Sequence, residues 1–142
     1  MKIAIYPGSF NPFHKAHHNI LLKAEKIFDE VFIARGLNPE KSGSTDNFPL
    51  PRILENRVIL NYNGLLTDFI KTLDYDNITI IRGLRNSTDL QYEMTQYRYL
   101  QDQMPDIQLV SIFCDKEYEH ISSTAIRLLT RYGDDKIQNY LI

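Results

Sequence analysis

A chain of 142 residues, 43% hydrophobic and 24% charged, has the size and balance of one globular domain and is neither disordered nor collagen-like. Lys and Arg number 16 against 18 Asp and Glu, a formal net charge of -2, which excludes a broad basic surface for nucleic acid but not a focused anion site. The lone Cys114 excludes an internal disulfide or a Cys-based zinc centre, and no apolar run reaches the roughly 18 residues of a membrane span. The first residues lack a signal-peptide apolar region, so the expectation is one cytoplasmic domain over residues 1–142, with no nucleic-acid or membrane partner.

Ile3 to Tyr6 is a short apolar run ended by Pro7-Gly8 and predicts a buried strand. From His17, the residues Ile20, Leu21, Ala24, Ile27 and Phe28 recur at helical spacing. Val31 to Ala34 predicts a second strand and Val58 to Leu60 a third. Leu65, Leu66, Phe69, Ile70 and Leu73 mark one helical face. Ile78 to Ile81 is β-branched throughout and predicts the clearest strand of all. Thr88 with Gln91 has the form of a capping box, opening a helix to Gln103 before Pro105. Gln108 to Phe113 predicts a fifth strand. Ser122 or Ser123 then caps a helix stopped near Gly133, and Asp134-Asp135 starts a short final helix to Leu141. Residues 36–56, with Pro39, Gly43, Pro49 and Pro51, cannot hold a full helix and are expected to cross over mainly as loop. Apolar strands alternating with helices imply an α/β, Rossmann-like open five-stranded parallel sheet with helices on both faces.

Three segments at the expected carboxyl edge of that sheet carry chemistry. Gly8 to His17 joins the first strand to the first helix, where ligands of open α/β sheets bind. Gly8 permits close backbone approach, and the helix N-terminus offers free N–H groups to phosphate. His14 and His17, three residues apart in the first turn, can both face the same anion. The bland alternative is a plain turn with two exposed histidines. Neither a Walker A loop nor a GxGxxG fingerprint is present. The second segment is Arg82-Gly83-Leu84-Arg85, whose guanidinium forks suit phosphate oxygens. The third, Ile121 to Arg127, places the hydroxyls of Ser122, Ser123 and Thr124 at a helix N-terminus. Arg127, in the first turn, is disfavoured by the helix dipole unless an anion accompanies it. Two histidines without a third ligand do not make a zinc site, so no metal ligand is assigned among the side chains. Mg²⁺ differs, because it binds largely through substrate phosphates.

Together these residues resemble the phosphopantetheine adenylyltransferase family of the HxGH nucleotidyltransferases. The resemblance runs from the YPGSFNP opening and the His14–His17 pair through Asn38-Pro39-Glu40-Lys41 and Asn63-Gly64-Leu65-Leu66. It continues with RGLR followed by Asp89 and Tyr92-Glu93, and closes with Tyr118 to Thr124. It implies transfer of AMP from ATP to 4′-phosphopantetheine, giving dephospho-CoA and pyrophosphate, with Mg²⁺ carried by the ATP phosphates. By that resemblance His17, Lys41 and Arg85 are catalytic. Ser9, Phe10, His14, His17, Gly83, Leu84, Arg85 and Glu93 bind ATP, with Tyr118, Glu119, His120, Ile121, Ser122, Ser123 and Thr124. Ser9, Lys41, Leu66 and Arg82 take the acceptor, and Cys114 lies outside every motif. The resemblance also implies a homo-oligomer, typically a hexamer. Departures from the family pattern are Asn11 for Asp, Ala16 for Gly, His14 for Thr, and a shortened 36–56 crossover. The alternatives are nucleotidyl transfer to another small phosphate, such as nicotinamide or nicotinate mononucleotide, and a non-catalytic nucleotide-binding relative.

Overall fold

The computed structural model describes residues 1–37 and 48–142. The expected crossover motif Asn38-Pro39-Glu40-Lys41, with Gly43, lies outside the described residues. Five strands form one parallel sheet: β1 (Ile3–Gly8), β2 (Glu30–Leu37), β3 (Ile59–Asn63), β4 (Ile78–Leu84) and β5 (Gln108–Phe113). Their spatial order is β3-β2-β1-β4-β5, with every neighbouring pair parallel. The chain therefore builds outward from β1 in one direction and then, starting with β4, in the other. The point of reversal is the crevice that open α/β sheets use for ligands.

Strand alternation assigns the two faces. Ala4, Tyr6, Val31, Ile33, Ile81 and Ile112 point to one side, under Ile20, Leu21 and Ala24 of helix α1 (Lys15–Glu25). Ile3, Ile5, Phe32, Ala34 and Ile80 point to the other. There they meet Phe69 and Ile70 of α2 (Leu66–Lys71) and Leu100 of α3 (Ser87–Gln103). Each fully buried aliphatic side chain contributes about 1.5–3 kcal/mol. Leu54, 1% exposed, joins the α1 side from a single 3₁₀ turn, Arg52–Leu54, after Pro51. Within its described part, the second crossover is thus loop and one turn, as the prolines predict. A third cluster of Ala16, Ile121, Ile126 and Ile137 joins α1, α4 (Ser123–Thr130) and the C-terminal segment. The Lys15 N–H also donates to the Tyr140 carbonyl at 3.0 Å.

Two ladders leave β1 with different lengths. Pairing with β2 runs from Ile3↔Glu30 to Gly8↔Arg35, whereas pairing with β4 stops at Ile5↔Ile80. β4 continues alone with β5 as far as Leu84↔Phe113.

Several boundaries differ from the sequence expectation. β4 runs past Ile81 to Leu84, so Arg82, Gly83 and Leu84 stand within the strand and not after it, and β3 lies at Ile59–Asn63 rather than Val58 to Leu60. Helix α1 starts at Lys15, two residues before His17, because His14 caps it. The cap of α3 is Asn86 and not Thr88: Asn86 Oδ1 accepts the Asp89 N–H at 3.0 Å, which leaves Thr88 inside the helix. The expected final helix is one 3₁₀ turn, Asp134–Lys136, set off from α4 by Gly133 at φ 125.

Candidate active site

The β1–α1 loop packs an aromatic floor beneath two histidines. Phe10, at φ 49, turns its ring back over Gly8, where a Cβ would stand 2.8 Å from Phe10 Cζ. That approach requires glycine. The Phe10 ring lies 5.1 Å from Tyr6, 5.4 Å from Phe13 and 5.0 Å edge-on to His17. His14 and His17 stack at 3.7 Å with 19° between their planes.

Helix α1 begins without Ser, Thr, Asp or Asn at its cap, and the two imidazoles take over that role. His14 Nδ1 accepts the N–H groups of Ala16 at 3.2 Å and His17 at 3.4 Å, while His17 Nδ1 accepts the His14 N–H at 3.2 Å. A nitrogen that accepts carries no proton, so each neutral ring holds its proton on Nε2. Burial, then the Arg85 charge, lowers the His14 pKa to about 4. Burial, then His14, Arg85 and Arg82, pushes His17 well below the ordinary histidine value. Both rings are neutral N–H donors at pH 7.

Across the split in the sheet stand the two arginines. Arg82 forks onto Glu93, Nε to Oε2 at 2.9 Å and Nη2 to Oε1 at 2.8 Å, and its Nη1 donates to the Pro7 carbonyl at 3.3 Å. Arg85 forks onto Asp89, Nε to Oδ2 at 2.9 Å and Nη2 to Oδ1 at 3.1 Å, and its Nη1 donates to the Ile121 carbonyl at 3.2 Å. Burial alone would raise the Asp89 pKa, but the hydrogen bonds from Arg85 outweigh it and hold the carboxyl below its ordinary value. Both guanidiniums are thereby oriented before any ligand arrives. Between them Gly83 lets α1 close on β4, since a Cβ there would stand 2.9 Å from Ile20 Cγ1.

The N-terminus of α4 completes the wall. Ser122 Oγ caps it by accepting the Ala125 N–H at 3.1 Å. Ser123 Oγ donates to the Pro12 carbonyl at 2.9 Å, and Arg127 Nη1 donates to the Asn11 carbonyl at 2.5 Å. Arg127, expected to need an accompanying anion, instead holds the β1–α1 loop.

These elements enclose an open cleft of about 420 Å³. Of the residues expected from sequence, it gathers Ser9, Phe10, His14, His17, Arg82, Gly83, Leu84, Arg85, Glu93, Ile121, Ser122, Ser123 and Thr124. Four expected residues do not line it. Tyr118 packs on the third cluster, His120 lies edge-on to Tyr140 at 6.1 Å, Glu119 is exposed, and Leu66 packs on the α2–α3 face. Lys41 lies outside the described residues. The cleft also takes in residues to which the sequence reading gave no role: Tyr6, Ile20, Asp89, Tyr92 and Cys114. Cys114, expected outside every motif, follows directly on the carboxyl end of β5, which is why it reaches the site. Burial raises its thiol pKa, so it is no activated nucleophile. The chemistry available is that of neutral imidazole donors, three guanidiniums and a helix N-terminus facing one space, an arrangement that suits phosphate oxygens.

Comparison with known proteins agrees with this geometry. A family profile described as cytidylyltransferase-like matches residues 5–129. A phosphopantetheine adenylyltransferase of Mycoplasma capricolum subsp. capricolum is 39% identical, with 93% of this chain and 99% of the relative covered. One from Clostridium botulinum (strain Langeland) is 34% identical, over 94% of this chain and 84% of the relative. Among solved structures, one from Vibrio parahaemolyticus, provisionally assigned as a nicotinate-nucleotide adenylyltransferase, superposes with a TM-score of 0.65 at 17% identity. It covers 99% of this chain and 87% of that one, and at such identity it shows a shared fold. A five-stranded parallel sheet, a cleft of imidazoles and guanidiniums at its switch point and relatives matched nearly end to end place the chain in the cytidylyltransferase-like family and, within it, among the phosphopantetheine adenylyltransferases.

Proposed function

We propose that the chain transfers the adenylyl group of ATP to 4′-phosphopantetheine, giving dephospho-CoA and pyrophosphate, a step of coenzyme A biosynthesis. An oxygen of the acceptor phosphate attacks the α-phosphorus in line. The bond from the α-phosphorus to the oxygen bridging to the β-phosphate breaks, and pyrophosphate leaves. No side chain is consumed, so the site acts by placement and charge.

The observation that carries this reading is the reciprocal His14–His17 cap. It locks both rings as neutral Nε2–H donors at the floor of the cleft, beside Arg82 and Arg85. A donor of this kind strengthens its hydrogen bond as negative charge builds on the α-phosphate oxygens, and it carries no proton equilibrium near pH 7. In this reading His17 serves the pentavalent α-phosphate. Arg85 and the α4 N-terminus serve the departing phosphates, and Arg82 with Lys41 serves the acceptor phosphate. Asp89 and Glu93, the carboxylates lining the cleft, are committed to arginines, and no cluster of three or more candidate metal ligands occurs among the described residues. In this reading Mg²⁺ enters with the substrate, as MgATP. No helix among the described residues is long and apolar enough to cross a membrane. The same reading has the enzyme work in the cytoplasm as a homo-oligomer, with family membership as its support.

The test is pyrophosphate release from ATP with 4′-phosphopantetheine, nicotinate mononucleotide or nicotinamide mononucleotide as acceptor, for the wild type and His17→Ala. The expected result is turnover with 4′-phosphopantetheine and a loss of about 10²–10³ in kcat for His17→Ala. Turnover with a mononucleotide alone would move the chain to the other acceptor class. ATP binding without turnover on any acceptor would make it a binding protein.

A further inference from the structure

One more cation stands at the carboxyl edge of the sheet, and no motif pointed to it. Arg35, near the end of β2, is in register with Gly8 of β1. Its Nε donates to the Ser9 carbonyl at 3.3 Å and its Nη2 to the Phe48 carbonyl at 3.1 Å. The Phe48 N–H in turn donates to Asn11 Oδ1 at 2.8 Å. The contacts close a ring: Arg35 to Ser9, along the loop to Asn11, across to Phe48, and back to Arg35. Arg35 forms no ion pair with a carboxylate among the described residues. Its charge is spent on backbone carbonyls. From the other side, Ser123 and Arg127 hold the carbonyls of Pro12 and Asn11, so the loop is gripped between β2 and α4.

We propose that Arg35 is a positioning residue for the transfer reaction. By holding the Ser9 and Phe48 carbonyls together, it fixes the β1–α1 loop against the chain that leads to β3, and so sets where Ser9 and Phe10 stand in the cleft. The inference rests on the adenylyl-transfer reading above. Its leverage is geometric, because displacement of reacting groups by about 1 Å costs on the order of 10² in rate. Asn11 belongs to the same device: its side chain holds the Phe48 amide while Arg35 holds the Phe48 carbonyl.

The experiment compares Arg35→Met, which keeps the stem and removes the donors, with Arg35→Lys, Asn11→Ala and Arg35→Met/Asn11→Ala. Amide hydrogen exchange at Phe48 is measured without substrates. kcat and KM for ATP and for 4′-phosphopantetheine are measured well below each variant's Tm. The expected results are faster exchange at Phe48 in Arg35→Met and a fall of about tenfold in kcat/KM, most of it in kcat, partly restored in Arg35→Lys. The double variant is expected to be no slower than the slower single one, since both substitutions act on the same backbone unit. Unchanged exchange at Phe48, additive losses in the double variant, or a lowered Tm with kcat within about twofold of wild type would overturn the proposal. A wild-type protein that exchanges as described but adenylylates no acceptor marks instead the failure of the adenylyl-transfer reading.

Discussion

His14 and His17 cap each other: each ring's Nδ1 accepts the backbone N–H of the other residue, at 3.4 Å and 3.2 Å. The same two atoms therefore begin helix α1 and set which nitrogen each imidazole offers to the cleft. Helix formation and catalytic tautomer are one structural fact here.

Acid stability follows from that pair. His14 titrates near 6.5 in the unfolded chain and at about 4 in the folded protein, so between those values the unfolded state binds more protons. His17 is depressed in the same direction. Their contribution is fully present above pH 6.5 and is lost as pH falls toward 4, by an amount on the order of 3 kcal/mol for His14. His14→Asn, which caps without titrating, is expected to flatten that part of the curve. Urea unfolding at pH 7 and pH 5, for wild type and variant, measures it.

Gly83 is a packing residue as much as a site residue. Gly83→Ala sets a methyl 2.9 Å from Ile20 Cγ1, and Ile20 is only 3% exposed, so α1 must shift from β4. The expected cost is about 1–3 kcal/mol. In Gly83→Ala/Ile20→Ala the combined loss should be smaller than the sum of the single losses, because the second change removes the atoms the first collides with. Denaturant midpoints for the four proteins decide it.

The Arg82–Glu93 fork orients a cation at the switch point, with the Glu93 side chain 10% exposed. Glu93→Ala leaves Arg82 charged and without its partner, at an expected cost of about 2–4 kcal/mol in stability. Lys23–Asp115, a more exposed pair at 32% and 52%, gives the contrast: Asp115→Ala should leave the unfolding midpoints nearly unchanged. Thermal and urea unfolding of both variants separates the two cases.

Cys114 lines the nucleotide cleft with a thiol whose pKa burial has raised. Alkylation by iodoacetamide at pH 7.5 should be slower than for an exposed thiol, and MgATP should slow it further. Labelling at the rate of free cysteine, indifferent to MgATP, would contradict this placement.

Much of the sheet was legible because its central strands are buried on both faces. β1 and β2 are such runs, and Ile78 to Ile81 is β-branched at each position; Gln108 to Phe113, whose bounds match β5, was legible although it is a partly exposed edge strand carrying Gln108 and Ser111. Helix starts were less legible where a cap lies outside the usual pattern. An imidazole in the capping role has no ordinary signature. At α3 the Thr88–Gln91 spacing competed with Asn86–Asp89, and Asn86 won because its carbonyl oxygen reaches the Asp89 amide. The arginines of RGLR were legible as cations at the sheet edge, but their forks onto Glu93 and Asp89 were not. Those depend on how α3 lies against β4. Arg35 and Cys114 were invisible for the same reason. Both are ordinary residues at strand ends, and only the order β3-β2-β1-β4-β5 brings them beside the first loop.

The unequal ladders of β1 have a final consequence. The site is a seam left unsewn: β1 and β4 part company after Ile5 and Ile80, three residues before β1 ends at Gly8. A seam of that kind exposes main-chain groups that want partners, and Pro7 lies within it. Proline brings no N–H to the opening, and its carbonyl is taken by Arg82 Nη1 at 3.3 Å. The YPG sequence thus does more than end a strand. It lets the sheet come apart at its centre with one fewer stranded donor, and the gap so made opens into the cleft.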